Sequence, residues 1–520
     1  MANVGVLLAQ AHALVRGLYL SADNASGLVL PALADRAASG SVVNLGDHAW
    51  YEAWWFMRAT ASLPHYRALW EVTPFVFGLL GIGVVAACAW WALGRLAALL
   101  SAVVLLATSE AQRTILYVPD NHGMTVLHAA VLCGALLAVY RRSGAARMTP
   151  RFLLLIGVPL VAFTGLGLTD QLLFVNGLLP FVLAPLLCWW RTRSGAWRTV
   201  SAFAIVAAVL SALLALLLIH IAQDQHVVHA PFPIDFVSSE ALVGGLQNLV
   251  AAFLTLGGGD FFGAPVSGGN LFVFLTGALI FVSLVATLLQ LWRWAGTRAG
   301  STGPTHDQLS RLGSRDLFIA FWGASLALVL AAFALTSVSD TASDTRYLIG
   351  GWAALAALVG VFAAMPLGRV AVIVAVAVFG VLNIRSELAA GVQPGGPAPD
   401  QTVAGTIEHF AAANGASIGY SGYWDASPVD WETHLRVKLY PIQACDVPSG
   451  WCQLYGIQIS SWYVPRADTR TFLLTDTRPG VPLAVTAPPA SFGKPVTAES
   501  VGQGLTVYIY DHDIAADLSP

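Results

Sequence analysis

The stretch TPFVFGLLGIGVVAACAWWA, residues 73–92, decides the class of this protein, because it contains no charged side chain. About 20 consecutive apolar residues form a helix long enough to cross a membrane. The stretch TVSAFAIVAAVLSALLALLLIH, residues 199–220, has the same character. Further apolar segments lie at 97–109, 123–140, 152–168, 172–190, 271–291, 317–337, 348–365 and 370–386. These ten segments predict transmembrane helices, and a weaker segment at 3–20 predicts an eleventh.

The composition excludes two classes of protein. Hydrophobic residues make up 57% of the 520 residues and charged residues only 11%, whereas soluble proteins carry about 25% charged residues. A soluble globular protein is therefore excluded. The formal net charge is −3 and no basic stripe occurs, so the electrostatic footprint of a nucleic-acid-binding protein is missing as well.

Arginine positions predict the orientation of the chain, because Lys and Arg in short loops stay on the cytoplasmic side. Alternate loops differ sharply, and the stretch 221–270 has four acids but no Lys or Arg. The arginine-rich loops carry Arg95, Arg141, Arg142, Arg147, Arg151, Arg191, Arg193, Arg198, Arg293, Arg298, Arg311, Arg315 and Arg369. Eleven spans then place the N-terminus in the cytoplasm and the C-terminal region outside the plasma membrane.

The C-terminal region predicts a separate domain. A Gly/Pro-rich linker, Gly391–Pro399, is followed by a helical pattern at 403–413 and by short apolar runs at 417–420, 472–475 and 505–510. The predicted architecture is an all-α polytopic membrane domain, residues 1–390, with external loops 21–72 and 221–270, followed by a linker and small α/β extracytoplasmic domain, residues 391–520.

Cys445 and Cys452 are the only cysteines of the C-terminal region, and the sequence between them is short. This spacing suits a small disulfide loop, which persists in an oxidising compartment such as a periplasm. A zinc site would need two more ligands. We therefore expect a disulfide.

Ionisable side chains gather at the predicted external ends of the spans. A transporter normally carries polar groups near the midplane of the membrane, where this sequence has few. The distribution instead indicates a site at the outer membrane surface, at the level of a lipid headgroup. The residues concerned are Asp23, Asp47, His48, Glu52, Glu110, Arg113, Asp120, His122, Asp170, Asp340, Asp344 and Arg346.

Three motifs in residues 1–390 lie at the ends of predicted spans. Tyr19-Leu20-Ser21-Ala22-Asp23 places an acid just after the first predicted span. Gly94-Arg95 opens a span that ends in Thr108-Ser109-Glu110, and Tyr117-Val118-Pro119-Asp120-Asn121-His122 enters the next one. Asp344-Thr345-Arg346-Tyr347 enters a late span. In their order and common side, these motifs resemble those of the GT-C superfamily, bacterial membrane glycosyltransferases that use polyprenyl-phosphate sugars.

The resemblance implies an inverting glycosyltransferase that moves a sugar from a polyprenyl-phosphate donor to an extracytoplasmic lipid, glycan or protein acceptor. Asp23 is the first candidate for the general base, and Asp47 and Glu52 are alternatives. His48, His122, Asp170, Arg346 and Tyr347 are candidates for substrate binding, since a guanidinium suits a leaving phosphate. Asp170 lies between apolar residues and needs a partner, for which Arg113 and Arg346 are candidates. No residue pattern requires a metal, although some members of the superfamily use a divalent one.

Two departures from the superfamily pattern keep alternatives open. Many members have two adjacent acids in the first loop, whereas this chain has Asp23-Asn24. Many also have a lysine after the fifth span, whereas this chain has no lysine before Lys438. The alternative function is a non-catalytic membrane transporter or a cell-envelope assembly factor.

Overall fold

A computed structural model describes residues 41–45, 51–60, 63, 65–107, 109–116, 122–143, 149–228, 234–261, 270–296, 306–339, 345–363, 366–390, 401–446, 450–454, 458–479, 481 and 483–519. Contacts divide the chain into two units. The first comprises residues 1–12, 72–219 and 233–391, and the second comprises residues 13–71, 220–232 and 392–520.

The first unit is built from long apolar helices. Nine described helices are long and apolar enough to cross a membrane, which confirms the predicted polytopic architecture. A π-helical segment, Phe174–Leu178, precedes the helix that begins at Leu179, and a 3-10 segment, Thr345–Leu348, precedes the helix that begins at Ile349. The described helices up to residue 390 are α1 (Tyr51–Thr60), α2 (Tyr66–Leu93), α3 (Arg95–Leu106), α4 (Glu110–Leu116), α5 (Met124–Ser143), α6 (Pro150–Gly167), α7 (Leu179–Thr192), α8 (Gly195–Asp224), α9 (Leu242–Leu256), α10 (Leu271–Gly296), α11 (His306–Leu335), α12 (Ile349–Phe362) and α13 (Pro366–Ala390).

One predicted span is shorter than expected. The segment predicted at 97–109 forms α3, which has 12 residues and is about 18 Å long, whereas the hydrocarbon core of a membrane is about 30 Å thick. The chain then continues as the separate short helix α4. The eleventh predicted span, 3–20, lies outside the described residues. The predicted loop 221–270 contains the helix α9, which packs against α11.

Helix α12 forms the centre of the bundle. All its residues from Ile349 to Val361 are buried, as expected of a helix that is apolar on every side. Close approach by neighbouring helices requires small residues. A Cβ at Gly360 would lie 2.8 Å from the Cβ of Ala97 on α3, so glycine permits this contact.

The run Gly257-Gly258-Gly259, which follows α9, is tightly packed. A Cβ at Gly257 would lie 2.3 Å from Ile280, and a Cβ at Gly259 would lie 2.5 Å from the backbone of Gly277. Gly258 adopts φ of +83°, a conformation that residues with a side chain rarely adopt, and its Cβ would lie 2.5 Å from Oδ1 of Asn383. The glycines therefore allow the end of α9 to contact α10 and α13.

We predict that Gly258→Ala destabilises the protein by about 1 to 3 kcal/mol, because it forces a side chain into a left-handed conformation and against Asn383. Gly244→Ala, in α9, is the matched control, since its Cβ meets nothing within 4 Å and alanine favours a helix. Thermal unfolding of both variants in lipid nanodiscs measures the difference. Equal melting temperatures for the two variants contradict the prediction.

The second unit contains a six-stranded sheet whose strand order is β5-β4-β3-β7-β9-β8. Strand β3 is parallel to β4 and β7, and β9 is antiparallel to β7 and β8. This sheet and two helices confirm the small C-terminal α/β region. The elements are β1 (Val43–Asn44), β2 (Val227–Val228), α14 (Gln401–Ala413), β3 (Ile418–Ser421), α15 (Tyr423–Glu432), β4 (Lys438–Ala444), β5 (Trp451–Gln453), β6 (Gln458–Ile459), β7 (Thr471–Asp476), β8 (Thr497–Gly502) and β9 (Leu505–Tyr510).

A second, three-stranded sheet joins distant parts of the sequence in the order β2-β1-β6. Strand β1 pairs with β2 in parallel and with β6 in antiparallel orientation. Val42 and Ser460 extend the pairing, since the N–H of Val42 donates to Oγ of Ser460 and the N–H of Ser460 donates to the carbonyl of Val42, both at 2.9 Å. The first predicted external loop is thus hydrogen-bonded to the C-terminal region.

Cys445 and Cys452 form a disulfide, with their Cα atoms 5.9 Å apart. Cys445 directly follows β4, and Cys452 lies in β5, which pairs with β4. The disulfide therefore closes the connection between two paired strands.

Two buried carboxylates meet at the carboxyl end of the parallel strands. Arg478 donates from Nη2 to Oδ1 of Asp425 at 2.5 Å and from Nε to Oδ1 of Asp476 at 2.9 Å. Both aspartates are fully buried. Desolvation, and next the charge of Asp476, raise the pKa of Asp425 to about 7.

We predict that this pair makes the stability of the second unit depend on pH. The unfolded Asp425 carboxyl has a pKa of about 3.9, so the folded state binds more protons between about pH 4 and pH 7. Stability should fall as pH rises through that window and then level off. Asp425→Asn should flatten this dependence, whereas Asp468→Asn at an exposed site should preserve it. Hydrogen exchange of β3 and β7, corrected for intrinsic exchange rates, measures the effect, and parallel profiles for the two variants contradict it.

Candidate functional site

His122 and Asp170 form a buried pair at one end of the first unit. Nδ1 of His122 lies 2.9 Å from Oδ2 and 3.1 Å from Oδ1 of Asp170, and each residue is only 3% exposed. The N–H of Leu172 donates to Oδ1 of Asp170 at 2.9 Å. Because a carboxylate only accepts hydrogen bonds, the pairing holds the hydrogen of the imidazole on Nδ1. His122 is thus an observed partner of Asp170, which the sequence did not predict as its partner.

The local sequence fixes the position of His122. The hydroxyl of Thr125 donates to the carbonyl of His122 at 2.6 Å, and the N–H of Thr125 donates to the same carbonyl at 3.1 Å, so α5 begins just beyond the histidine. Gly123 allows close approach to α4, because a Cβ there would lie 2.5 Å from the carbonyl oxygen of Ile115. His122 is therefore held between α4 and α5.

Tyr347 and Arg346 extend the site. The ring centroid of Tyr347 lies 5.1 Å from that of His122. The guanidinium of Arg346 lies 4.9 Å from the Tyr347 ring centroid, and its Nη2 donates to the Tyr347 hydroxyl at 3.2 Å. Arg346 and Tyr347 are both partly exposed. Four of the predicted substrate-binding residues, from three distant parts of the sequence, thus lie in one continuous group.

A polar network lies behind His122. Nδ2 of Asn176 donates to the hydroxyl of Thr125 at 2.9 Å, and the hydroxyl of Ser325 donates to the carbonyl of Asn176 at 2.8 Å. Asn176 belongs to the π-helical segment, and such segments occur frequently at functional sites. These residues are not among those predicted from the sequence, although an asparagine inside an apolar segment is a signal that could have identified Asn176.

The other predicted residues lie elsewhere or are not described. Glu52 lies on α1, in the second unit, and is partly exposed. Asp23, Asp47 and His48 lie outside the described residues. Within the described ranges, no group of three or more His, Cys, Asp or Glu side chains could hold a metal ion.

We predict that His122→Ala lowers the free energy of unfolding by about 3 kcal/mol, because it removes a charge-assisted hydrogen bond from the buried Asp170 carboxylate. Adding Asp170→Asn to the His122→Ala variant should recover part of the lost free energy of unfolding, since the double variant has no buried carboxylate. His220→Ala is the matched control, because His220 pairs with Asp224 at an exposed position and such pairs contribute little. Thermal unfolding in nanodiscs compares the variants. A loss no larger than that of the control contradicts the prediction.

Comparisons with solved structures found several chains that are similar to this one. The Archaeoglobus fulgidus oligosaccharyltransferase in complex with Zn and sulfate is 13% identical, with a TM-score of 0.45 over 82% of this chain and 62% of its own. AglB of the same organism, in complex with an inhibitory peptide and a dolichol-phosphate, is 12% identical, with a TM-score of 0.41. The match covers 82% of this chain and 63% of the AglB chain. ArnT from Cupriavidus metallidurans in the apo state is 16% identical, with a TM-score of 0.38 over all of both chains.

The chain spans less than two thirds of the length of the archaeal structures. No protein-family model and no curated protein matches the chain.

Proposed function

We propose that this protein is an inverting membrane glycosyltransferase, which transfers a sugar from a polyprenyl-phosphate donor to an acceptor outside the membrane. The observation that carries the proposal is the grouping of His122, Asp170, Arg346 and Tyr347 at one end of a bundle of apolar helices. A lipid-linked donor keeps its tail among apolar helices and its phosphate at the level of these polar side chains.

Arg346 is proposed to bind the donor phosphate. Its planar guanidinium can donate two parallel hydrogen bonds to phosphate oxygens. The stacking on Tyr347 and the hydrogen bond to its hydroxyl limit the rotation of the guanidinium. A partly exposed arginine held in this way is ready to accept an anionic ligand.

His122 is proposed to act beside Arg346 on the leaving phosphate. In the reaction, the acceptor oxygen forms a bond to the anomeric carbon, and the bond between that carbon and the phosphate oxygen breaks. The departing polyprenyl phosphate gains one negative charge, and the acceptor proton passes to a carboxylate base. Asp170 holds the His122 ring in place through Nδ1, and His122 and Arg346 together are proposed to stabilise the developing charge.

The base and the acceptor belong to the same proposal. Asp23 is the first candidate for the base, with Asp47 and Glu52 as alternatives. The proposed reaction is also compatible with a bound divalent metal. The acceptor is an extracytoplasmic lipid, glycan or protein. A dolichol-phosphate and an inhibitory peptide are bound to the archaeal AglB. For this chain, a lipid phosphate and an extracytoplasmic acceptor are proposed ligands.

The proposed orientation places the His122 end outside the plasma membrane, with the N-terminus in the cytoplasm and the disulfide-bonded domain outside. Arginines near the opposite helix ends contact aromatic residues and carbonyls there. Arg141 donates to the carbonyl of Trp91 at 2.7 Å, and Arg191 lies 4.2 Å from the Trp294 ring centroid. Under the rule that Lys and Arg in short loops stay inside, an end of the helices that carries several arginines is expected on the cytoplasmic side.

We predict different kinetic effects for the base and for the phosphate-binding arginine. Asp23→Asn should lower turnover by about 10² to 10⁴ while donor binding survives, because only the base is removed. Arg346→Ala should weaken donor binding and turnover together, and Arg346→Lys should restore only part of both. Transfer of labelled sugar from polyprenyl phosphates by the purified protein is the assay.

Arg369→Ala provides the control for these variants, because the Nε of Arg369 donates to the carbonyl of Ala363, and the proposed orientation places Arg369 in the cytoplasm. Its activity should match the wild type. If the wild type transfers no sugar from any polyprenyl-phosphate donor, the transporter or assembly-factor alternative replaces the proposed function.

A further inference from the structure

Gln112 on α4 is a buried polar residue whose side-chain amide lacks a hydrogen-bond partner. The residue has no exposed surface, and neither Nε2 nor Oε1 has a partner within the described part of the chain. Buried side-chain amides are nearly always hydrogen-bonded, because an unpaired donor or acceptor loses its hydration without compensation. A glutamine that stabilised only the fold would be paired or replaced by an apolar residue of similar shape.

The start of α4 does not depend on this amide. The backbone N–H of Gln112 donates to Oγ of Ser109 at 3.1 Å. The Ser109 hydroxyl in turn donates to the carbonyl of Leu256 at 2.6 Å. Ser109 therefore caps α4 and links it to α9, and the Gln112 side chain has no part in these contacts.

Gln112 lies close to the candidate site. It shares the buried face of α4 with Ile115 and Leu116, three and four residues further along the helix. The backbones of those two residues contact Gly123, next to His122. Helix α4 also packs against the 3-10 segment that carries Arg346 and Tyr347. Gln112 is therefore about one helical turn, some 5 Å, from the residues that touch the His122 segment.

The chemistry of the amide indicates the ligand. Nε2 donates and Oε1 accepts, and both atoms lack partners. A phosphate oxygen satisfies only the donor and leaves Oε1 unpaired. Two neighbouring hydroxyls of a sugar ring satisfy both, because a hydroxyl both donates and accepts.

We infer that Gln112 binds hydroxyl groups of the transferred sugar and so contributes to the choice of sugar. The role of Gln112 in sugar transfer rests on the proposed function. The contact between Gln112 and a sugar does not depend on it. Arg346 and His122 then hold the phosphate side of the donor while Gln112 holds the ring. A hydrogen-bonding site of this kind discriminates strongly against a sugar that lacks the matching hydroxyl.

Gln112→Met tests the inference, because it keeps the length of the side chain and removes both polar atoms. Thr287→Val is the matched control, since the Thr287 hydroxyl on α10 is also buried without a partner in the described ranges. Both changes remove an unpaired polar group, so both should raise the melting temperature of the ligand-free protein in nanodiscs. Only Gln112→Met should raise the KM for the sugar donor, by about tenfold to a hundredfold.

Two binding measurements separate the sugar from the phosphate. Sugar-free polyprenyl phosphate should bind Gln112→Met as tightly as the wild type. Methyl glycosides of hexoses and pentoses should raise the melting temperature of the wild type and of Thr287→Val but not that of Gln112→Met. If no polyprenyl-phosphate sugar is transferred and this glycoside effect is still lost in Gln112→Met, the proposed function fails and the sugar contact stands.

Kinetics and glycoside binding of Gln112→Met that match those of Thr287→Val overturn the inference, and the amide is then a buried group satisfied by water. Weaker binding of sugar-free polyprenyl phosphate to Gln112→Met also overturns it, because the amide then contacts the phosphate or the lipid.

Discussion

The arrangement of the site depends on one constraint, the burial of the Asp170 carboxylate. A carboxylate with 3% exposure among apolar helices is stable only if hydrogen-bond donors surround it. His122 and the N–H of Leu172 supply those donors. Because the histidine must reach Asp170, α5 begins just after His122 and α4 approaches it closely at Gly123. The aromatic contact with Tyr347 and the position of Arg346 follow from this placement.

The same constraint explains which part of the site the sequence could predict. The need of Asp170 for a partner is visible in its apolar neighbours Leu168 and Leu172, and His122 and Arg346 could be selected as polar residues near span ends. The pairing itself could not be predicted, because it depends on how α5 and the segment after α6 approach each other. Gln112 was missed for a similar reason. A glutamine next to charged residues is ordinary in a sequence, and only its burial without a partner makes it informative.

The fold was predictable where local pattern decides it. Apolar length marked most of the spans, and alternating or apolar runs marked β3, β7 and β9. Packing decided the rest. Gly257, Gly258 and Gly259 resemble a flexible loop in sequence but allow close helix contacts. Trp54, on α1 in the first predicted external loop, is 1% exposed. Such outcomes depend on residues far away in the sequence.

The three-stranded sheet has a consequence for the synthesis of the protein. Its central strand, β1, emerges early, whereas its partner β6 emerges late, and the pair formed by Val42 and Ser460 is separated by 418 residues. At a translation rate of about 5 to 20 residues per second, the first loop waits roughly 20 to 80 s for that partner. During this interval β1 exposes an unpaired strand edge outside the membrane. One edge of this short strand therefore stays without its final partner until nearly the whole chain has been made.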